Sequence, residues 1–358
     1  MDNPDIDRKI RRSAGYMKRL LFTGDSIVDT YEVEIPTPGD HEVLLKMKSS
    51  GICGSDLRNF RTPKNEKNGI DDLIVPGHEP VGIVEEKGYS VSGLSIGDRV
   101  MMHHYSGCLK CSMCRSGYTQ MCLYKHDVYG STAHGGHQEY MVVPSYTCIP
   151  MPDDLDFQSA AACSCGTGTA FHAVKRLNPT ALDTIAVFGQ GPVGLSATMF
   201  AAQMGCRVIA IDVSPYRLEL ASDLGAYKTL NSIDLDPVEA LRDLTSGEGV
   251  DMTLDATGIP EVRNQAVDSA KYWGKVCFVG EGNTTTFDVS PQIIHKQLTI
   301  MGSWTFSQAG LSEVAKFVVE RKSPLDRLIT HTFDISKAQE AYDLFVSGDT
   351  GKVILMME

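Results

Sequence analysis

The chain has 358 residues, 42% hydrophobic and 22% charged, which is the balance of a globular protein rather than a disordered or fibrous one. At roughly 150 residues per domain, that length predicts about two domains. A net charge of −12 argues against nucleic acid or an anionic membrane surface as partner, because both need a basic face, and leaves a small molecule as the expected ligand.

In chain order, residues 1–16 carry opposed charges without an apolar stripe and read as a flexible extension, with Met17 an alternative start. This prefix has charges where a secretory leader would be apolar. The chain has no run approaching the roughly 20 apolar residues of a bilayer span, so the expected compartment is the cytoplasm. MKRLLFTG, from Met17, starts like a strand. From Tyr31 to about Pro150 short β-rich runs (YEVEIP, EVLLKMKSSG, VPGHEPVGIVEEKG, EYMVVPSYTCIP) are punctuated by Gly and Pro, which predicts a mostly β domain with long loops.

Inside that region Cys108, Cys111, Cys114 and Cys122 are spaced as two x2 gaps and an x7 gap. Four thiolates so spaced close a tetrahedral shell with no vacant position, the design of a structural zinc. Cys148, Cys163, Cys206 and Cys277 are scattered through apolar segments and read as reduced, packed thiols of a cytosolic protein.

After Asp153 the texture changes. DFQSAAACSCGTGTAFHAVKRL has helical spacing, and from Thr184 strands and helices alternate: TIAVFG, a helix over VGLSATMFAAQMG, RVIAID, a helix over SPYRLELASDLG, then VDMTLDAT, a helix over VRNQAVDSAKYW, and KVCFVGEG. That alternation predicts parallel strands with helical crossovers. Helices over LSEVAKFVVERK and SKAQEAYDLFVSG and a strand KVILMM finish the chain.

Gly189, Gly191 and Gly194 form GxGxxG between a strand and a helix. The first permits a tight turn, the second admits a pyrophosphate and the third lets helix and strand approach. Asp212, 23 residues after Gly189, ends the next strand at the place of a carboxylate that bonds adenosine ribose hydroxyls and repels a 2′-phosphate, which favours NAD. The alternative is a glycine turn with a solvated Asp212. Arg217 is either an adenosine contact or a surface residue.

Cys53, His78 and Cys165 supply thiolate, imidazole and thiolate, the three ligands of an open, catalytic zinc, and Glu79 can enter the shell when substrate leaves. Buried free thiols and a surface His–Glu pair are the alternatives. Asp56 is placed to orient His78 and Ser55 to pass an alcohol proton outward, unless that serine only forms the turn.

Through GICGSD, PGHEP, the four-cysteine segment, HGGHQEYMVVP and VFGQGPVG, in this order, the chain after residue 16 resembles the zinc-dependent medium-chain dehydrogenases, the alcohol, polyol and threonine dehydrogenase superfamily. The resemblance implies an α/β protein. A GroES-like, mostly β catalytic domain with the zinc lobe would take residues 17–166 and 305–358. A doubly wound, parallel-sheet Rossmann domain binding NAD would take 167–304. It assigns a catalytic zinc to Cys53, His78, Glu79 and Cys165, a structural zinc to the four lobe cysteines and the proton relay to Ser55. It also implies nucleotide contacts at Val193, Asp212 and Arg217, nicotinamide contacts at Val279, Gly280, Glu281, Ser303, Trp304 and Thr305, and a homodimer or homotetramer.

Departures from the family pattern bear on substrate. Arg58 replaces a relay histidine and stays protonated. Thr305 and Phe306 stand where polyol dehydrogenases carry Arg and Tyr. His104 stands where ethanol-type enzymes carry an aromatic ring, with Arg58, Asn59 and His134 as further candidate polar lining. The alternative for His103, His104 and His134 is solvated loop histidines. The expected activity is zinc-dependent oxidation of a secondary alcohol on a sugar, polyol or diol to the ketone, with hydride transfer to NAD. L-threonine-type dehydrogenation and a non-catalytic NAD-binding regulator are the alternatives.

Overall fold

Apolar alternation sets the first element. Tyr16–Gly24 pairs antiparallel with Ile27–Glu34, and Asp25 and Ser26 between them have φ of 53° and 63°. Two left-handed residues make the hairpin turn whose twist suits paired strands. The structure, a computed structural model, describes residues 15–67, 69 and 72–357. The strand begins at Tyr16, opposite Glu34, and the Gly15 carbonyl accepts from the Ile35 N–H, so the strand starts one residue before the Met17 expected from sequence. The rest of the expected extension lies outside the described residues.

The β-rich half builds a seven-stranded sheet. Along it lie Ile329–Asp334, Lys352–Met356, Glu42–Ile52, Pro80–Lys87, Arg99–Met102 and Cys148–Pro150, while Tyr140–Pro144 also pairs with Glu42–Ile52. The pairs are antiparallel except the first, so the chain's last strand enters beside its third. Glu42–Ile52 is buried along most of its length and ends one residue before Cys53.

The other half is a six-stranded sheet, parallel throughout, in the order Lys228–Asn231, Arg207–Asp212, Thr184–Phe188, Val250–Asp255, Ala270–Phe278, Thr299–Gly302. Its central strands are apolar on both faces, as helices on both sides require. Four of its helices start with proline at the first turn (Pro192, Pro215, Pro237, Pro260), where a missing N–H costs nothing. Ser214 and Asp236 cap two of them.

Several elements differ from the sequence reading. Lys228–Asn231, helix Pro237–Leu244 and strand Ile329–Asp334 were not foreseen. The two strands are short and half-polar in burial, with no clear period to read. The helix expected through Trp273 ends at Ser269. Ala270–Phe278 is strand, and Trp273 takes φ 64°, which a helix cannot accommodate. Residues 157–177 are helical as expected, with Asp156 as the N-cap, but interrupted: Phe157–Ala162 and Gly168–Leu177 flank a π-helical turn, Cys163–Thr167, which carries Cys165. Such widened turns recur at functional positions.

That interrupted helix joins the two sheets. Ala160, Ala161, Phe171 and Val174 share one core with Val81 and Met101 of the β-rich sheet, with Val187 of the parallel sheet and with Leu195 and Phe200 of the helix Pro192–Gln203 on it. Each large apolar side chain so buried contributes about 1.5–3 kcal/mol. Cys165 is thereby fixed between the two halves. Among the described residues no helix is long and apolar enough to cross a membrane.

Candidate active site

Where the Glu42–Ile52 strand ends, the chain turns and places Cys53, Ser55 and Asp56 together. The Asp56 carboxylate accepts from the Cys53 N–H at 2.9 Å through one oxygen and bonds His78 Nδ1 at 2.9 Å through the other. Nδ1 therefore donates, and Nε2 is left as the acceptor nitrogen, 3.2 Å from Ser55 Oγ. Cys165 arrives on the π-helical turn. The ligand atoms of Cys53, His78, Glu79 and Cys165 all lie within 4.8 Å of one another.

These four groups do not coexist comfortably without a cation. The Cys165 thiol bonds to the Cys53 sulfur, which holds Cys53 well below the usual thiol range and Cys165 well above it. Burial opposes charge on His78, but the Asp56 carboxylate outweighs it and raises the imidazole. Burial pushes the Glu79 carboxyl up, and Lys352, in ion-pair contact with it, pulls it back. Sequence reading missed Lys352: it is 300 residues from its carbonyl partner Ile52 and carries no motif. Removing one partner of a buried pair costs about 3–5 kcal/mol. Glu79 Oε1 is buried with no hydrogen-bond partner. Two thiols, one oriented imidazole and a carboxylate with an unused oxygen form a donor set that suits zinc.

The lobe cysteines 108, 111, 114 and 122 also bring their sulfurs within 4.8 Å of one another. Here backbone N–H groups serve the sulfurs: those of Lys110 and Cys111 point at Cys108, that of Cys114 at Cys111 and that of Cys108 at Cys122, at 3.4–3.5 Å. The Cys114 N–H holds Cys111 down to about 6, while burial pushes Cys114 up to about 12. No cysteine forms a disulfide among the described residues.

The nucleotide-type turn has the expected shape. Gly189 takes φ 85°, and a Cβ on Gly194 would overlap the Gly189 carbonyl oxygen, so neither position admits a side chain. Gly191 faces open space, room that a pyrophosphate needs. Asp212 is buried, and its oxygens accept from the N–H groups of Gln190, Val213 and Ser214 at 2.5, 2.8 and 2.8 Å. A carboxylate has about four acceptor directions, so Asp212 braces the turn with three and keeps one unused. Arg217 reaches across to the Thr350 carbonyl.

The Val279 and Gly280 N–H groups both donate to the Asp255 carbonyl, and Glu281 is exposed beside them. Asp255 itself was not foreseen. It caps the Thr257–Gly258 turn and pairs with Arg263, whose guanidinium bonds the carbonyls of Gly280, Gly282 and Asn283, so one ion pair holds this loop. Ser303 Oγ and Thr305 Oγ1 are buried without partners, and Trp304 is partly exposed. Orphaned hydroxyls on this loop suit a polar ligand. Gly166 faces the Val193 side chain, and Thr167 bonds Ser196 at 3.0 Å, so the Cys165 turn abuts the helix of the glycine motif.

The histidines divide. His104 is 2% exposed, its Nδ1 bonds the Ser164 carbonyl, and its ring lies 5.1 Å from that of His78. Burial holds it well below the usual range, hence neutral. From it a line of rings runs outward through Tyr105 to His126 and Trp304. His103 is fully buried and bridges the Phe306 carbonyl and Thr119 of the lobe. Neither is a solvated loop residue. His134 accepts from the Val75 N–H and lines a different cleft, with Met17, Arg19 and Tyr140. Asn59 is engaged by Lys67, Arg58 is exposed, and Phe306 is buried.

Comparison with known proteins follows the same division. Residues 39–153 match the alcohol dehydrogenase GroES-like domain and residues 192–320 the zinc-binding dehydrogenase domain. The chain is 37% identical to the zinc-type alcohol dehydrogenase-like protein YphC of Escherichia coli K12 over 95% of its length and 99% of that protein. It is 31% identical to L-threonine 3-dehydrogenase of Shewanella woodyi, over 90% and 95% of the two chains. The crystal structure of the rspB alcohol dehydrogenase of E. coli CFT073, complexed with NADH, is similar with a TM-score of 0.86 at 28% identity, over 96% of this chain and 99% of that one. With both domains in this order and likeness kept from end to end, the chain belongs to the zinc-dependent medium-chain dehydrogenases, a family of alcohol dehydrogenase-like oxidoreductases.

Proposed function

We propose that the protein oxidises a secondary alcohol of a small hydroxylated compound, a sugar, polyol or diol, to the ketone, with NAD as hydride acceptor and zinc held by Cys53, His78 and Cys165, Glu79 entering the shell when substrate leaves. One observation carries this reading: two thiols, an imidazole and a carboxylate from three chain segments converge within 4.8 Å beside a glycine turn with an open Gly191. When bound, zinc supplies the Lewis acidity that draws an alcohol's pKa toward neutrality, and NAD supplies the acceptor for its carbinol hydride.

The protein's own groups do the rest. Asp56 fixes the His78 ring so that Nε2 faces the cluster. The exposed Ser55, with its hydroxyl beside that nitrogen, passes the substrate proton outward. Arg58 stays charged and takes no part in that relay. His104 spends Nδ1 on Ser164, so Nε2 is available to accept from a second substrate hydroxyl. An apolar alcohol would leave that nitrogen unmet, which favours hydroxylated substrates. Asp212 repels a 2′-phosphate and favours NAD over NADP. The four lobe cysteines hold a second, structural zinc.

A second reading, oxidation of a hydroxy amino acid, is supported by the threonine dehydrogenase likeness and by CGTGTAFHA around Cys165. Cofactor absorbance over a panel of polyols, sugars, diols and L-threonine tests both. Turnover of hydroxylated secondary alcohols with NAD supports the first reading, and turnover of L-threonine alone transfers the assignment to the second. A zinc-loaded protein inert with the whole panel refutes both.

A further inference from the structure

Glu79 and Lys352 are the most deeply buried ion pair among the described residues, with side chains 0% and 1% exposed. Nothing in the zinc reading requires a cation there, because three ligands and the lobe cysteines function without it. Its placement is specific nonetheless. Lys352 opens the chain's last strand, and its Nζ also donates to the Ile52 carbonyl at 2.9 Å. The ammonium is thus tied to the residue directly before Cys53. Room for the pair comes from Gly51, where a Cβ would overlap the Glu79 carboxylate and press on Lys352 Cε at 2.8 Å.

The two Glu79 oxygens are used unequally. Oε2 faces Lys352, while Oε1 is buried without a hydrogen-bond partner. A carboxylate coordinated permanently beside Cys53, His78 and Cys165 would complete four protein ligands and close the site, as in the lobe, leaving no position for substrate. A carboxylate held by one oxygen stays near the ion position without filling it.

We propose that Lys352 is a positioning residue that restrains Glu79 as a reserve ligand, so that the fourth coordination position stays open to substrate. This rests on the zinc reading of the site. The lysine acts through Glu79 and touches neither substrate nor cofactor. The strand that ends the chain thereby sets the accessibility of a site whose ligands lie in its first half.

Cobalt(II) exchanged for zinc in the full-length protein tests this, since its d–d bands shift when an added ligand such as imidazole takes an open fourth position. In K352M the freed carboxylate is expected to take that position. The d–d bands stay strong but no longer respond to imidazole, release of the site metal to a chelator slows about tenfold, and alcohol turnover drops. K352R, which keeps the cation, restores all three. E79Q/K352M, which lacks the entering carboxylate, recovers the response to imidazole. K352Q carries the same expectations as K352M should the latter not fold. A K352M or K352Q protein with the original response to imidazole and the original release rate overturns the proposal while leaving the zinc reading intact. Uptake of lobe metal alone by the unaltered chain overturns both.

Discussion

The two cysteine-bearing clusters are each built from four potential ligands, yet they handle charge in opposite ways. The lobe draws all four sulfurs from one short segment and serves them with backbone N–H groups of that segment. The Cys53 cluster gathers its groups from residues 53, 78–79 and 165 and serves them with side chains: Asp56 on His78, Ser55 beside Nε2, Lys352 on Glu79. Backbone donors cannot be moved, which suits a closed structural site. Side-chain partners can yield, which suits a site whose shell changes during turnover.

Removing a lobe thiol should have the largest effect, because structural zinc contributes about 10–16 kcal/mol of apparent binding free energy that is also folding free energy. Cys111→Ser is expected to lose one metal per chain and to melt well below the unaltered protein in calorimetry; equal melting temperatures would erase the distinction between the clusters. Cys165→Ala should do the reverse. Turnover falls by about a thousandfold or more, with metal analysis showing the lobe ion retained. Activity near the original level would remove Cys165 from the site.

Asp56→Asn keeps the shape but weakens the hold on His78 Nδ1, and is expected to lower metal affinity or activity about 10- to 100-fold, read by chelator competition. The same change should leave lobe metal untouched. The smallest effect separates acid damage to ligands from acid damage to a buried histidine with no ligand role. Burial holds His137 down to about 4 from an ordinary 6.5, with Nε2 bonded to the buried Tyr342 hydroxyl at 2.9 Å. Unfolded, it binds a proton more readily, so its contribution is intact above 6.5 and is lost as pH falls toward 4. Between about pH 7.5 and about pH 5 that amounts to about 2 kcal/mol. In His137→Gln the drop in melting temperature over this range should shrink; an unchanged drop would assign the acid sensitivity to the metal ligands.

Much of this was legible because each motif has local physics. GxGxxG needs no partner beyond its own turn, and the structure has Gly189 at positive φ and Gly194 against Gly189 as the spacing predicts. The lobe spacing likewise reports its own closure. Polar lining was less legible. His103, His104 and His134 look alike in sequence, yet one joins the lobe to Phe306, one faces His78 and one lines a separate cleft. Lys352, Arg263 and the π-helical turn carried no signal, since a lysine at a strand start reads as solvated and a widened turn leaves helical spacing intact.

From its sequence alone the chain determined its two kinds of sheet, its family, its glycine turn and the two sets of candidate metal-ligand side chains, because spacing along the backbone constrains groups that are near in the chain. Tertiary structure alone decided which histidine faces the cluster, that Asp212 braces the glycine turn, and that a lysine from the last strand is buried against Glu79. Those outcomes depend on which distant segments are packed together and on the cost of burying charge without a partner, and neither is encoded in the spacing of neighbours.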